Sequence, residues 1–95
     1  MSDFSNKSVI VTGGAKGIGA GISRAFAAAG ARVACVDVDA TAGAALVAET
    51  AEAKGEVRFF EADVSGGAAC QEVCSRVIDE WDGIDVLCNL SLIHI

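Results

Sequence analysis

The sequence predicts an α/β fold built on a doubly wound parallel sheet. Three observations favour this class: short β-branched runs alternate with longer runs that carry apolar residues at helical spacing, glycine-rich turns separate them, and the connections are short. The predicted order is β-α-β-α-β-α-β. Because a helix that joins two parallel strands makes a right-handed crossover, this order places helices on both faces of the sheet.

The first strand and the first helix flank a glycine-rich turn. Residues 8–12 read Ser-Val-Ile-Val-Thr, a β-branched run typical of a buried strand. Over residues 17–29 the apolar side chains recur at the spacing of one helix face, and Gly30 is suited to cap the carboxyl end of that helix. Residues 32–37, Arg-Val-Ala-Cys-Val-Asp, predict a second buried strand. These elements form a first β-α-β unit.

The same alternation continues to the end of the pattern. Residues 40–54 are rich in alanine, which favours a second helix, and residues 57–62 predict a third strand. Ser65 is a suitable N-cap for a third helix that ends at Gly83, and residues 84–88 predict a fourth strand. No linker long enough to separate two domains interrupts the pattern, so it is that of one small domain or a piece of a larger one.

The composition limits the classes of function. The 95 residues include 13 acidic and 7 basic side chains, a formal net charge of −6, and 53% of the residues are hydrophobic. Disordered chains are poor in apolar residues, and an acidic chain is not suited to bind nucleic acid, so both classes are excluded. The sequence has neither an apolar run long enough to span a membrane nor the apolar segment of a secretory signal. We therefore expect a cytoplasmic protein with no membrane partner.

The glycine-rich turn is the most informative motif. Residues 12–19 read Thr-Gly-Gly-Ala-Lys-Gly-Ile-Gly, between the first strand and the first helix. Glycines allow a tight turn and a close approach of the backbone, and the start of a helix presents N–H groups to a phosphate. The motif is not a Walker loop, because Gly17 follows Lys16, and it is not Gly-x-Gly-x-x-Gly, because Ile22 takes the third glycine position. The alternative is a glycine turn in a protein that binds no nucleotide.

Asp37 at the end of the second strand predicts the kind of nucleotide. In a dinucleotide-binding fold this position faces the adenosine ribose, where a carboxylate accepts hydrogen bonds from both hydroxyls and repels a 2′-phosphate. Lys16 favours the opposite preference, since a cation in the loop could contact a 2′-phosphate. A buried contact between like charges costs more than an exposed lysine contributes, so we predict NAD over NADP. The alternative for Asp37 is a solvated aspartate at a strand end.

At this point the residues resemble the classical type of short-chain dehydrogenase/reductase. The resemblance covers residues 6–89 and implies the N-terminal half of a Rossmann doubly wound parallel sheet. It also implies an NAD(P)-dependent oxidoreductase that transfers hydride between an alcohol or ketone substrate and nicotinamide. The matching motifs are Thr12-Gly-x-x-x-Gly-Ile-Gly19, Asp37, Asp63-Val64 after the third strand, and Asp85-Val-Leu-Cys-Asn89.

The resemblance implies a role for each matching residue. In the family the loop backbone binds the pyrophosphate and the adjoining ribose, the acid after the second strand binds the adenosine ribose, and the Asp-Val pair binds the adenine. The fourth-strand asparagine lies beside the cofactor. The matching residues are Gly13, Lys16, Gly17, Ile18 and Gly19 in the loop, Asp37 for the ribose, Asp63 and Val64 for the adenine, and Asn89. For Asp63 the alternative is an acid at the start of a helix.

Residues 90–95 depart from the family. The family continues Asn-Ala-Gly after the position of Asn89, whereas this chain reads Leu-Ser-Leu-Ile-His-Ile. The codons CTG-TCT-CTT-ATA-CAC-ATC encode this hexapeptide and resemble a transposon-end adapter used in library preparation. We therefore expect residues 1–89 to be the truncated NAD(P)-binding half-domain and residues 90–95 to be read-through of an adapter. The alternative is a natural extension, which would make the chain a non-catalytic dinucleotide-binding module that ends at residue 95.

The catalytic residues of the family are absent from this chain. The family's serine and its Tyr-x-x-x-Lys pair lie further along, and the sequence contains no tyrosine. Without that general acid the substrate oxygen has no proton donor, so we predict that the 95-residue chain alone is inactive. The resemblance implies that the full-length parent binds a nicotinamide dinucleotide and a small alcohol or ketone, and that it forms homo-oligomers.

The cysteines and the fourth strand give two further expectations. The sequence has 4 cysteines, which in a chain without a secretory signal are expected to be reduced and packed in the core. Cys70 and Cys74 share a helix face, but two thiolates make a poor zinc site, and a redox or metal role is the weaker alternative. The fourth strand is expected to be an exposed apolar edge, because its partner strands are missing, and the chain is therefore expected to be poorly stable and prone to aggregation.

Overall fold

A computed structural model of the chain describes residues 4–63 and 67–89, and it confirms the predicted fold. The described residues form a parallel sheet of four strands in the order β3-β2-β1-β4, with a helix in each connection. This is the strand order typical of the first half of a doubly wound sheet. The elements are β1 (Ser8–Thr12), α1 (Gly17–Ala28), β2 (Arg32–Asp37), α2 (Ala40–Glu49), β3 (Glu56–Glu61), α3 (Gly67–Trp81) and β4 (Val86–Asn89).

The two faces of the sheet bury two separate cores. Successive residues of a strand point to opposite faces, so Val9 and Val11 pack beneath α1 and α2, whereas Ile10 packs beneath α3. Every residue of β1 is buried, which is why its sequence is a continuous apolar run and does not alternate. The first core contains Val9, Val11, Ala20, Ala27, Val33, Cys35, Leu46 and Val57, and the second contains Ile10, Ala34, Val36, Phe60, Val73, Val77 and Trp81.

The second helix is shorter than the sequence predicts. It ends at Glu49, not at residue 54, and the Thr50 hydroxyl donates a hydrogen bond of 2.8 Å to the carbonyl of Leu46. The chain must then turn, because the Gly55 N–H donates to the Ala27 carbonyl at 2.8 Å. A side chain at residue 55 would lie 2.0 Å from the Ala31 carbonyl oxygen, so this approach requires glycine. Packing against the end of α1 therefore overrides the helix propensity of the alanine-rich segment.

The fourth strand begins later than predicted and lies at the edge of the described sheet. It starts at Val86 because Asp85 bonds to the start of β1: its N–H donates to the Ser8 carbonyl, and its carboxylate accepts the Ser8 N–H, both at 2.8 Å. β4 pairs with β1 in parallel, and 51% of Leu87 is exposed on the face that α3 covers only in part. An apolar edge is therefore present as predicted, and the low stability expected from it stays a prediction. Ser65 lies outside the described residues.

Candidate functional site

The glycine-rich turn lies at the carboxyl ends of β1 and β2. The backbone turns sharply at Gly13, where φ is 67°, and the Gly13 N–H donates to the Val36 carbonyl at 2.7 Å. Gly17, the first residue of α1, also has a left-handed φ of 55°. Both conformations favour glycine, which accounts for two of the glycines in the motif.

The other glycines allow close packing. A side chain at Gly19 would lie 2.0 Å from the Gly13 carbonyl oxygen, and one at Gly14 would lie 2.7 Å from the Val11 carbonyl oxygen. Both distances are shorter than a nonbonded contact permits, so α1 can approach the loop only because these residues are glycine. At Gly17 the opposite holds, since a side chain there would have no heavy atom within 4 Å apart from those of its chain neighbours and of the adjacent helix backbone. The loop is therefore tightly packed at Gly14 and Gly19, whereas the side-chain position of Gly17, at the start of α1, is open.

The start of α1 is suited to hold an anion in this open space. Its N-cap residue, Lys16, makes no capping hydrogen bond through its side chain, and the first turn contains no acidic residue. The N–H groups of the first turn and the partial positive charge of the helix are therefore not satisfied by a carboxylate of the turn itself. Ile18, in the same first turn, is 79% exposed, which is unusual for a large apolar residue.

Asp37 connects the loop to the next turn of the chain. It ends β2 and is only 9% exposed. One carboxylate oxygen accepts the Ala15 N–H at 3.2 Å, and the other accepts the Asp39 N–H at 3.1 Å. The sequence predicts Asp37 as a ribose ligand but gives no sign of these bonds. Because each oxygen has a second lone pair, the carboxylate can fix the loop and still accept hydroxyl groups.

Asp39 is a residue of this site that the sequence analysis missed. One of its carboxylate oxygens accepts the Ala42 N–H at 2.9 Å and so caps α2, and the other lies 3.4 Å from the Lys16 Nζ. The Ala42 N–H, together with the Lys16 ammonium, holds the pKa of Asp39 below its usual range. An Asp two positions after a strand, at the start of a helix, is an N-cap signal in the sequence. The pairing with Lys16 has no such signal.

Two of the remaining predicted site residues, Asp63 and Asn89, lie near the ends of β3 and β4. Asp63 is exposed and follows β3, whose end is joined to β2 by a 3.1 Å hydrogen bond from the Ala62 N–H to the Asp37 carbonyl. Val64 lies outside the described residues. Asn89 ends β4, and its backbone is in register with Thr12 at the end of β1. The glycine loop, Asp37 and the end of β4 therefore share one edge of the sheet, and Asp63 follows the strand on the far side of β2.

The three thiols whose side chains the structure describes lie on different elements: Cys35 on β2, Cys74 on α3 and Cys88 on β4. Cys35 is buried below the glycine loop, and burial, with the charge of Asp37 in second place, raises its pKa to about 12. Cys74 and Cys88 are half-buried. Over residues 4–63 and 67–89, no group of three His, Cys, Asp or Glu side chains is placed to hold a metal ion.

The amino ends of the strands carry a different cluster, which sequence reasoning did not find. The Arg32 guanidinium lies 5.6 Å from the centre of the Trp81 ring, and its Nη2 donates to the carbonyls of Asn6 at 2.9 Å and Trp81 at 3.3 Å. Arg32 thus satisfies a carbonyl at the end of α3 and packs on the residue that carries it. A cavity of about 510 Å³ opens beside this cluster and is lined by Asn6, Arg32, Trp81, Asp82, Gly83, Ile84 and Asp85.

A parallel sheet, a glycine-rich turn that leads into a helix, and an acid at the end of the next strand together define the dinucleotide-binding class of α/β domains. Comparison with known families agrees with this class. The sequence model of the short chain dehydrogenase family matches residues 7–91, and the chain belongs to that family.

The curated relatives are dehydrogenases that are much longer than this chain. It is 42% identical to D-threitol dehydrogenase of Mycolicibacterium smegmatis over 83 residues, which are 87% of this chain and 32% of that protein. It is 39% identical over 89 residues to galactitol 2-dehydrogenase of Agrobacterium fabrum, covering 90% of this chain and 32% of the relative. The chain therefore spans about a third of the length of these relatives.

Solved structures that resemble the described fold are also about three times as long as the part that this chain matches. An NADH-dependent reductase complexed with NAD has a TM-score of 0.81 at 36% identity, covering 90% of this chain and 36% of its own. A dehydrogenase/reductase from Sinorhizobium meliloti has a TM-score of 0.86 at 33% identity, with coverages of 92% and 35%. Within the described part of the chain, no helix has the length and apolar character needed to cross a membrane.

Proposed function

We propose that this chain is the cofactor-binding part of an NAD-dependent oxidoreductase that interconverts an alcohol and a ketone. The observation that carries the proposal is the open space above Gly17, where a side chain would meet no heavy atom within 4 Å beyond its chain neighbours and the adjacent helix backbone. This space lies beside the start of α1, which no side chain caps. A pyrophosphate needs a backbone that it can approach closely and N–H groups that no side chain already occupies. The names of the relatives, D-threitol dehydrogenase and galactitol 2-dehydrogenase, support an alcohol as the substrate class.

Different residues of the site would bind different parts of the cofactor. The backbone of residues 13–19 would bind the pyrophosphate, the exposed Ile18 would lie beside the cofactor, and Asp37 would accept the hydroxyls of the adenosine ribose. Asp63 and Val64 would lie at the adenine, and Asn89 beside the nicotinamide half. When bound, the cofactor supplies the carbon that accepts or gives the hydride. The chain's own contribution is to bind and orient it.

The preference for NAD rests on the surroundings of Asp37. This carboxylate is 9% exposed, so a 2′-phosphate beside it would place like charges together with little water between them. The N–H groups of Ala15 and Asp39 hold its two oxygens from opposite sides, so the carboxylate cannot turn away to admit the phosphate without losing a hydrogen bond.

We further propose that the chain alone does not catalyse hydride transfer. It contains no tyrosine, so it has no Tyr-x-x-x-Lys pair, and we place the family's catalytic residues in the two thirds of the relatives that it does not span. Residues 1–89 are then a half-domain of a homo-oligomeric parent, and residues 90–95 are adapter read-through. Sequencing the source DNA past codon 89 tests this. An open frame that continues Asn-Ala-Gly and later encodes Tyr-x-x-x-Lys supports the proposal, and a stop codon after residue 95 contradicts it.

Calorimetric titration of the purified chain with NAD tests the binding function. We expect binding by the unsubstituted chain and none by Gly17→Val, which fills the open space above α1. Valine also strains the left-handed backbone at residue 17, so circular dichroism must first show that the variant is folded. Gly21→Ala is the matched control, because residue 21 lies in the same helix and an added side chain meets no atom within 4 Å there either. If a folded chain binds no nucleotide, or if the valine variant binds as tightly as the control, the proposal is wrong.

A further inference from the structure

The ion pair between Lys16 and Asp39 links the two turns that flank the proposed ribose position. Lys16 is the N-cap of α1 and Asp39 is the N-cap of α2, and their charged atoms lie 3.4 Å apart. The pair lies next to the two bonds of Asp37, one to the Ala15 N–H and one to the Asp39 N–H. These contacts together join the glycine loop to the start of α2.

The aspartate is the fixed partner of this pair. One of its oxygens is held by the Ala42 N–H at 2.9 Å, and its own N–H is held by Asp37, so its second oxygen has a set direction. The lysine has a long, flexible side chain that is 63% exposed, against 35% for the aspartate. The ion pair with Asp39 therefore sets the position of the Lys16 ammonium, which would be free to move without Asp39.

A free ammonium at this position would work against the preference of Asp37. Lys16, Asp37 and Asp39 together carry one positive and two negative charges at the edge of the ribose position. An unpaired lysine attracts a phosphate group, whereas a lysine that already contacts a carboxylate must give up that contact first.

We propose that Asp39 is a specificity-determining residue, which pairs with the Lys16 ammonium and so makes it less available to a 2′-phosphate, and that the site therefore selects a dinucleotide without that group. This inference rests on the proposed function. Asp39 acts through Lys16 and is a positioning residue. The capping role of Asp39 is separable from this, because asparagine caps a helix as well as aspartate but carries no charge.

A double-substitution cycle in the full chain tests the proposal. The affinities of adenosine 5′-monophosphate and adenosine 2′,5′-bisphosphate are measured by calorimetry for the unsubstituted chain, Asp39→Asn, Lys16→Gln and the double variant. We expect Asp39→Asn to improve the bisphosphate relative to the monophosphate by about fivefold, as for an exposed ion pair. In the Lys16→Gln background the same substitution should change the ratio by less than about twofold. Asp79→Asn, which removes an exposed charge from α3 on the other face, should leave the ratio unchanged.

The cycle separates pairing from total charge. If only the net charge matters, Asp39→Asn improves the bisphosphate equally whether or not the lysine is present, and that result overturns the proposal. Lys16→Gln alone gives an independent test should Asp39→Asn fail to fold, which circular dichroism reports. A sequestered lysine predicts a ratio within about twofold of the unsubstituted chain, and a fivefold loss for the bisphosphate overturns the proposal. Binding of the monophosphate with no change in Asp39→Asn refutes this inference alone, whereas binding of neither nucleotide refutes the proposed function as well.

Discussion

At the amino end of the sheet, two charged side chains bond to backbone groups, although Arg32 Nε is buried without a hydrogen-bond partner among the described residues. At the carboxyl end, no described side chain caps the start of α1. Arg32 donates to the carbonyls of Asn6 and Trp81, and the Asp85 carboxylate accepts the Ser8 N–H. At the other end, no described residue beyond its chain neighbours and the adjacent helix backbone approaches the side-chain position of Gly17, and the Lys16 side chain does not cap α1. From this difference we propose that the first end serves stability and the second ligand binding, because Arg32 and Asp85 are already bonded to backbone groups, whereas no side chain caps the first turn of α1.

Trp81 provides the largest test of this division. It is 7% exposed and packs in the core below α3, and Arg32 and Arg58 both lie over its ring. Trp81→Ala should lower the free energy of unfolding by about 3–5 kcal/mol, because it leaves a cavity in that core. Urea denaturation followed by circular dichroism measures this, and Trp81→Phe should lose clearly less. At a temperature where the variant is folded, its affinity for NAD should be unchanged. A weakened affinity would show that the two ends are coupled.

Gly19 tests the opposite end. A methyl group there would meet the Gly13 carbonyl oxygen at 2.0 Å, so Gly19→Ala must displace the loop. We expect a loss of about 3 kcal/mol in the free energy of unfolding and the loss of nucleotide binding. The control, Gly21→Ala in the same helix, should gain about 0.5–1 kcal/mol, because alanine is the better helix former and residue 21 has open space. Thermal denaturation and NAD titration on both variants give the comparison, which fails if Gly19→Ala binds normally.

Two aspartates at opposite ends of the sheet offer a matched pair. Asp37 accepts two backbone N–H groups at the carboxyl end, and Asp85 accepts the Ser8 N–H at the amino end. Asp37→Asn should weaken NAD binding by about 2 kcal/mol, since hydrogen bonds to a charged group are the stronger ones. Asp85→Asn should cost about 1 kcal/mol of stability and leave the affinity unchanged. Equal losses of affinity in the two variants, measured by calorimetry, would contradict the division.

The same contrast explains how much the sequence could predict. The alternation of strands and helices was visible because strands such as β1 are buried on both faces and read as continuous apolar runs. The turn at the loop could be predicted because its left-handed and closely packed positions require glycine at a fixed spacing. Asp37 could be proposed because it follows that turn at the distance at which a dinucleotide-binding fold carries an acid. The end of α2 could not be predicted, because it depends on a contact between Gly55 and Ala31. The pairing of Lys16 with Asp39 could not be predicted either, because it depends on side-chain directions across two separate turns.

The ionisation of Cys35 is expected to affect the free energy of unfolding only at alkaline pH. Its thiol lies below the glycine loop, where burial raises the pKa from 9.0 to about 12. The folded state therefore keeps the proton more tightly than the unfolded state. The stability that this provides is complete below pH 9 and is lost as the pH rises toward 12. Denaturation over this range should show a steeper fall for the unsubstituted chain than for Cys35→Ala. A parallel fall in both proteins would contradict the prediction.

The accessibility of the same thiol reports on the loop itself. A thiol with a pKa of about 12 forms almost no thiolate near neutral pH, so Cys35 should react with a disulfide reagent only when the loop above it opens. The half-buried thiols Cys74 and Cys88 should react sooner. If the open carboxyl end is the nucleotide site, NAD should slow the labelling of Cys35, because a ligand that binds only the closed form reduces the open population. Mass spectrometry of labelled peptides measures each thiol separately. Slower labelling of Cys35 with unchanged labelling of Cys74 would place the bound nucleotide at the glycine loop.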